Sequence, residues 1–309
     1  MRAAAGARAR VLVGAAALAV DAAVGEPPAR LHPVVGMGSL LSSARRRWRG
    51  QSAAGELAEG TAGVVVVVAA SALCAVAVRR ALGRLPRGAA LLGEAGALST
   101  LLALRGLCEA VEGVRAALEA GDIDAARTLA ARDLVSRDTS ELGASELSGA
   151  AIQSLAENLS DSVVAPLLAY VAGGLPAAAA YRALNTADAM WGYRTPELLR
   201  HGWAAARADD IANLVPARLT ALLIAARAPQ RGAALRVALR DHGLAPSPNG
   251  VPGWRSLRRS IRSTMCSTRS SARTAASTST STRPPPAAPV EALALMAPST
   301  RRLRAERTK

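Results

Sequence analysis

The sequence predicts a mainly α, multi-pass helical integral membrane protein with a soluble helical insertion and a disordered C-terminal tail. Three observations predict it. Half of the 309 residues are hydrophobic but only 2% are aromatic, with no Phe, so the apolar mass is Ala, Val and Leu. Such small side chains let helices approach closely within a bilayer. Thr61 to Val78 runs 18 residues without a charge, close to the ~20 that cross a hydrocarbon layer. Finally, acids and amides between Ala150 and Arg218 are threaded through segments apolar enough for a membrane or a deep core. Polar groups in such a setting are costly unless paired or used.

The elements follow in order. Arg8 and Arg10 precede an apolar run from Val11 to Val20, broken by Asp21. Ala17-Leu18-Ala19 resembles a signal-cleavage site, but the run before it is short, so a first membrane-associated helix is expected. Two proline clusters around His32 predict a structured loop rather than a helix. Arg45, Arg46, Arg47 and Arg49 then lead into Thr61–Val78, which Arg79 and Arg80 stop. Gly88 to Leu107 is a third apolar stretch, weakened by Glu94 and Arg105. Over 109–135, charges alternate with Ala, Leu and Ile at helical spacing, which predicts a soluble helical hairpin turning at Gly121-Asp122. Ser162 to Leu184 is apolar but interrupted by Pro166, Gly173, Gly174 and Pro176, as one broken span or two half-length helices. Ile211 to Ala226 is apolar apart from Asn213 and Arg218, with a kink expected at Pro216.

Charge excludes less than it first suggests. The net charge is +15, but residues 250–309 alone carry +10. Nearly every basic residue is Arg, as in a GC-rich coding sequence, so no nucleic-acid partner is expected. Cys74, Cys108 and Cys266 are far apart, with no C-x-x-C, and read as small buried hydrophobes rather than disulfide partners or metal ligands. The three His lack zinc-site spacing. Walker A, G-x-S-x-G, H-E-x-x-H and dinucleotide fingerprints are absent. The positive-inside comparison gives no orientation, because the basic residues flanking the first helix roughly cancel.

Three polar clusters carry the chemistry. Glu157 and Asp161, at i,i+4, share a helix face with no Lys or Arg between Ala150 and Tyr181 to neutralise them. Like charges at that spacing destabilise a helix unless a cation sits between them. Mg²⁺ held by one or two carboxylates plus phosphate oxygens fits that pattern; a solvated helix end is the alternative. Asn185 and Asp188 form a second pair, followed by Arg194-Thr195-Pro196. Arg194 suits bidentate phosphate or carboxylate contacts. Asp209, Asp210 and Asn213 form a third cluster, expected at a helix start, where capping is the alternative role. Upstream, Ser136-Arg137-Asp138-Thr139 is a compact polar tetrad.

At these residues the chain resembles a known family. The blocks LVSRDTSEL (134–142), AAIQSLAENLSDSVVAPLLAY (150–170), YRALNTADAMWGYRTPE (181–197) and HGWAAARADDIANLVPARLTAL (201–222), with VDAAVGEPPARLHPVVGMGSLL (20–41), are similar to the cobalamin-biosynthesis CbiB/CobD family of adenosylcobinamide-phosphate synthases. The likeness covers 11–249. It implies an inner-membrane ligase of the corrin pathway. That ligase joins aminopropanol or its phosphate to adenosylcobyric acid through an amide, with ATP and Mg²⁺. Membrane lipid and other corrin-pathway enzymes are the implied partners. The residue roles are inferred from chemistry. Glu157, Asp161 and Asp188 would hold the metal. Arg137, Arg182 and Arg194 would bind phosphate or corrin carboxamides, and Asn158, Asn185 and Thr195 would add neutral hydrogen bonds. Asp209 or Asp210 would accept a proton from the attacking ammonium.

A domain spanning 1–249, with 109–148 as a hairpin and loop inserted in it, is therefore expected. The likeness stops near Pro246-Ser247-Pro248-Asn249. Residues 250–309 are Ser-, Thr-, Arg- and Pro-rich, the composition of a disordered tail. A shifted reading frame near codon 250 would give it, and would put activity in doubt; a genuine basic tail against anionic lipid is the other reading. Competing functions are a multi-pass transporter, for which no internal repeat is found, and a non-catalytic scaffold of the pathway.

Overall fold

A computed structural model describes residues 2–50, 52–135 and 138–227. The tail expected over 250–309 and the candidate Arg137 lie outside the described residues. All regular structure among the described residues is helical, as the composition predicts. The chain divides into two compact units. One takes in the residues up to Arg105 together with Leu159–Leu219; the other takes in Gly106–Asn158 and 220–227.

The first unit is built on α1 (Arg2–Val24), α2 (Pro33–Arg45), α3 (Ala53–Leu82) and α4 (Arg87–Ser99). After the second unit's helices it continues with a π turn (Ser160–Val164), α8 (Ala165–Gly173), α9 (Leu175–Trp191), α10 (Leu198–His201), α11 (Trp203–Ala212) and the start of α12 (Leu214–Arg227). The proline-flanked segment is not wholly loop. Ala29–Leu31 makes a 3-10 turn and Pro33 opens α2. The reason is that proline at the first helical position has no intrahelical N–H to lose and a φ already suited to the helix. His32 caps α2, its Nδ1 accepting from the Val34 N–H at 3.2 Å.

The core of this unit is Leu41, Val67, Leu98, Leu102, Tyr170 and Trp191, seated among alanines of α9. Ala178, Ala183 and Ala187 are fully buried, so α9 packs closely. A Cβ on Gly60 would stand 1.9 Å from the His201 carbonyl oxygen. Gly60→Ala is therefore expected to destabilise this unit by about 1–3 kcal/mol. A thermal melt in detergent reads the effect, and an unchanged melt would contradict this contact. Nearby, Trp48 meets the Trp191 ring edge-on at 5.0 Å and stacks on His201 at 3.9 Å.

The apolar stretch of 162–184 resolves into two helices meeting at Gly174, whose φ is +73°. Pro166 does not break the chain. Its missing N–H frees the Ser162 carbonyl, which accepts instead from the Ala103 N–H at 3.3 Å. The π turn beside it accommodates the change. Pro216 likewise makes no interior kink; it sits in the first turn of α12.

In the second unit, α5 (Leu104–Glu119) and α6 (Ile123–Asp133) are joined through Gly121, at φ +77°. Asp122 caps α6, accepting from the Ala125 N–H at 2.9 Å. Val111, Val114, Ala126, Ala130, Leu147 and Ile152 are buried there, and α7 (Ala144–Leu159) completes the unit.

Among the described residues, Ala53–Leu82 and the run Arg87–Glu119 are long and apolar enough to cross a membrane. Val65, Val66 and Leu73 of α3 are 59%, 64% and 69% exposed, a face that water does not favour.

Candidate functional site

The polar cluster of the first unit is assembled by one face of α9. Tyr181, Asn185 and Asp188 recur at i, i+4 and i+7, which places them on one side of a helix. Asn185 Oδ1 accepts from an Arg182 Nη1 at 3.3 Å, and Asn185 Nδ2 approaches Asp209 Oδ1 at 3.5 Å. Asn213 Nδ2 donates to Asp209 Oδ2 at 2.8 Å, and the Tyr181 hydroxyl donates to Asn213 Oδ1 at 2.8 Å. The same Arg182 nitrogen donates to Ser162 Oγ at 3.0 Å. A continuous path of hydrogen bonds thus runs from the π turn through α9 to the end of α11. Networks of this kind are rigid when satisfied, and the buried Arg182 Nε is the atom left without a protein partner.

Charge converges on the same place. Glu26 and Asp161 lie within electrostatic reach of Arg182. Asp209 and Asp210 lie within reach of Asp188. Glu26 in turn stands 3.4 Å from His32 Nε2. Asp209 is 5% exposed. Burial pushes its carboxyl up to about 6, with Asp210 adding to the rise against the pull of hydrogen bonds from Asn213 and Asn185. Burial also raises Asp210, opposed by Arg207 and Arg194.

That shift has a sign. The folded value of Asp209 lies above the ordinary ~3.9 of an unfolded aspartate, so its contribution to stability is full below about pH 4 and is lost as the pH rises through 6. Asp209→Asn should flatten the pH dependence of stability between about pH 4 and 6. Melts across that window check it, and an unchanged slope would contradict the burial argument.

Asp209 and Asp210 are not at a helix start. They occupy the second half of α11, and Asn213 is its C-cap, with its N–H on the Asp209 carbonyl at 2.9 Å. Nothing between Trp203 and Ala212 breaks the helix, so the start lies earlier, after Gly202. Capping of an N-terminus therefore does not account for these acids.

The other candidates fall as follows. Arg194 and Thr195 are exposed in the turn after α9, where the Thr195 carbonyl accepts from the Leu198 and Leu199 N–H groups. Asn158 Nδ2 donates to the Ser154 carbonyl at 2.9 Å, and Glu157 Oε1 accepts from Gln153 at 3.2 Å. Both belong to the second unit, whereas Asp161 belongs to the first. The π turn also replaces the ordinary helical register between them. Among the described residues, no three His, Cys, Asp or Glu side chains form a ready ligand set for a metal ion. The donors fit instead an ion bound through one or two carboxylates and completed by phosphate oxygens, the usual habit of Mg²⁺.

Sequence reasoning missed Tyr181, Ser162, Glu26 and His32 as members of this cluster. Tyr181 was findable, because it lies four residues before Asn185 on the same helical face. Ser162 was not, because its Oγ meets Arg182, 20 residues further on, only through tertiary packing of the π turn. Asp21 is fully buried and caps α5, its Oδ2 accepting from Leu104 N at 2.9 Å and Arg105 N at 3.1 Å.

Fold and cluster together define a class: helical throughout the described residues, with apolar candidate spans and a buried network of carboxylates, amides and one arginine. Residues 14–254 match the family described as CobD/Cbib protein. The chain belongs to the CobD/CbiB family of cobalamin biosynthesis. It is 41% identical over 257 residues to the cobalamin biosynthesis protein CobD of Sinorhizobium sp, covering 79% of this chain and 78% of that one. It is 37% identical over 245 residues to cobalamin biosynthesis protein CobD of Rhodobacter capsulatus, covering 77% and 75%. A probable cobalamin biosynthesis protein CobD of Pyrococcus abyssi is 41% identical over 213 residues, covering 69% and 70%. No solved structure matches the chain.

Proposed function

We propose that this chain is a multi-pass inner-membrane amide synthase that converts adenosylcobyric acid to adenosylcobinamide or its phosphate. The amine is aminopropanol or its O-phosphate, and ATP drives the reaction. The observation that carries this reading is the Ser162–Arg182–Asn185–Asp209–Asn213–Tyr181 network, in a chain of this family.

The chemistry follows from the bond formed. A carboxylate is a poor acyl donor, because its leaving group would be oxide. Transfer of the ATP γ-phosphoryl group to the substrate carboxylate makes an acyl phosphate and releases ADP. The amine then attacks the acyl carbon, the C–O bond to phosphate breaks, and inorganic phosphate leaves. The attacking nitrogen enters as an ammonium and must lose protons. Asp209, poised near 6, is suited to accept one at neutral pH. Asp210, on the next residue of the same helix, is the second acceptor proposed.

Arg182 offers a fixed guanidinium toward phosphate or a corrin carboxamide, and exposed Arg194 is proposed to meet phosphate arriving from solvent. Arg137 is proposed for the same contact. Asn185, Asn158 and Thr195 are proposed as neutral hydrogen-bonding partners of the substrates. Glu157, Asp161 and Asp188 remain the proposed carboxylates for Mg²⁺, which when bound would neutralise the phosphates of ATP. The proposal for Asp161 and Asp188 is supported by their place around Arg182 and Asp209; Glu157 stands on its sequence spacing alone.

Complementation tests the function. A bacterium lacking its own cobinamide-forming synthase would carry this chain, receive cobyric acid, and be scored for cobalamin-dependent growth. Growth is expected. Continued failure of a stably inserted chain given a family-like C-terminal segment would overturn the synthase reading.

A further inference from the structure

The first unit holds a cavity whose lining shares no residue with the Arg182–Asp209 network. It lies where the start of α1, the end of α3, the start of α4 and the end of α8 meet, and its volume is about 360 Å³, in the range of small-ligand sites. Arg10, Arg79, Glu94 and Tyr170 provide its polar lining; Leu82 and Leu91 are among its apolar walls. Arg10 is held in place by its Nη1, which donates to the Val171 and Ala172 carbonyls at 2.9 Å each. Arg79 Nη1 lies 3.3 Å from the point a Cβ on Gly174 would occupy. The Tyr170 hydroxyl engages Glu94, with both arginines in electrostatic reach.

Basic residues outnumber acids at this end. Arg8, Arg10, Arg79, Arg80, Arg84 and Arg87 come from the helix ends around the cavity, against the acid Glu94 in its lining. Two other arginines of this unit have acid partners, Arg45 with Glu197 at 2.6 Å and Arg200 with Glu56 at 3.0 Å. The cavity also sits at a boundary. Arg79 directly follows the uncharged stretch Thr61–Val78. Leu12 and Leu92, next in sequence to lining residues Val13 and Leu91, are 71% and 74% exposed. Two arginines in a cavity at the end of a candidate span, with exposed leucines on the same helices, match a ligand with an anionic head and an apolar body.

We propose that this cavity binds the phosphate headgroup of an anionic membrane lipid. Arg10 and Arg79 contact the phosphate oxygens, Glu94 orients Tyr170 through their hydrogen bond, and the acyl chains run along the exposed leucines. The site is separate from the Arg182–Asp209 network. The proposal rests on the membrane reading but not on the reaction.

The test uses the full chain in nanodiscs of phosphatidylcholine, titrated with phosphatidylglycerol and read by native mass spectrometry. Arg79→Gln is expected to lower phosphatidylglycerol retention about tenfold, since it removes one of the two guanidiniums that line the cavity. Arg84→Gln removes the same charge from the same end but not from the cavity, and should change retention less than about twofold. Equal losses in the two variants would mean diffuse surface attraction and overturn the proposal. Wild-type retention in Arg79→Gln would overturn it too. So would Arg79-dependent binding of inorganic phosphate with no lipid retained, which marks a free-anion site. Should Arg79→Gln fail to insert, Arg79→Lys carries the test: loss of the guanidinium fork is expected to weaken retention about threefold, and no change overturns the site. Whether the wild-type chain leaves membranes only with detergent, and not with salt or carbonate, checks the membrane reading on its own.

Discussion

Asp188→Ala is expected to lower amide synthesis by about 10²–10⁴-fold while the protein remains folded and inserted. Asp188 is within electrostatic reach of Asp209 and Asp210, so three carboxyl groups act on one another near the ends of α9 and α11. Such a gathering opposes folding unless a cation joins it or some of the acids stay protonated. Removing Asp188 relieves repulsion, so the variant should melt no lower than wild type. Loss of turnover with unchanged or raised stability is the signature of a functional acid. A lowered melt would show a structural role, and full turnover would remove Asp188 from the mechanism. Asp161→Ala should behave alike in turnover, because Asp161 lies within electrostatic reach of Arg182. Gly192 offers an independent check. A Cβ there would lie 2.0 Å from Asp188 Oδ1, so Gly192→Ala should displace that carboxylate and reduce turnover without deleting any charge.

Arg182→Lys is expected to reduce turnover by about 10²-fold although the charge is kept. The guanidinium reaches Ser162 Oγ and Asn185 Oδ1 with one nitrogen and leaves Nε unpartnered. A buried donor without a partner is costly, and a substrate oxyanion would satisfy it. Lysine supplies a point charge on a flexible stem and cannot span these positions as a planar fork. Initial rates across substrate concentrations, with a melt in parallel, separate the possibilities. A rise in KM at constant melting temperature fits substrate contact. An unchanged rate would leave Arg182 as a purely structural tie between the π turn and α9. The Asp209 assignment adds a profile: the rate should climb with pH through about 6 and level off above it, and Asp209→Asn should remove that limb.

Much of this was legible in the sequence. The spacing of Asn185 and Asp188 placed both on one face of α9, and the run of valines identified the long helix α3. Helical breaks at Gly121 and Gly174 were also readable, because each needs a backbone conformation that glycine adopts readily. Other features were not readable for stated reasons. Pro33 and Pro166 signal interruption in a linear reading, yet one sits at a helix start and the other beside a π turn whose freed carbonyl finds Ala103. Asp209 and Asp210 suggested a helix start because acids favour that end; the actual start depends on Gly202 fitting against Trp191, where a Cβ would meet the Trp191 carbonyl oxygen at 1.7 Å.

The sequence by itself determined the helical class, the apolar candidate spans, the acid and amide clusters, and the family. Those properties follow from composition, period and order, which are local and need no partner. Only the tertiary structure decided which clusters meet. It joined Tyr181, Arg182 and Asn185 to Asp209 and Asn213, and placed Glu26 near Arg182. It also gathered Arg10 and Arg79 around a separate cavity. The physical reason is that hydrogen bonds and charges act over a few ångströms in space, across sequence separations that helical periodicity does not encode.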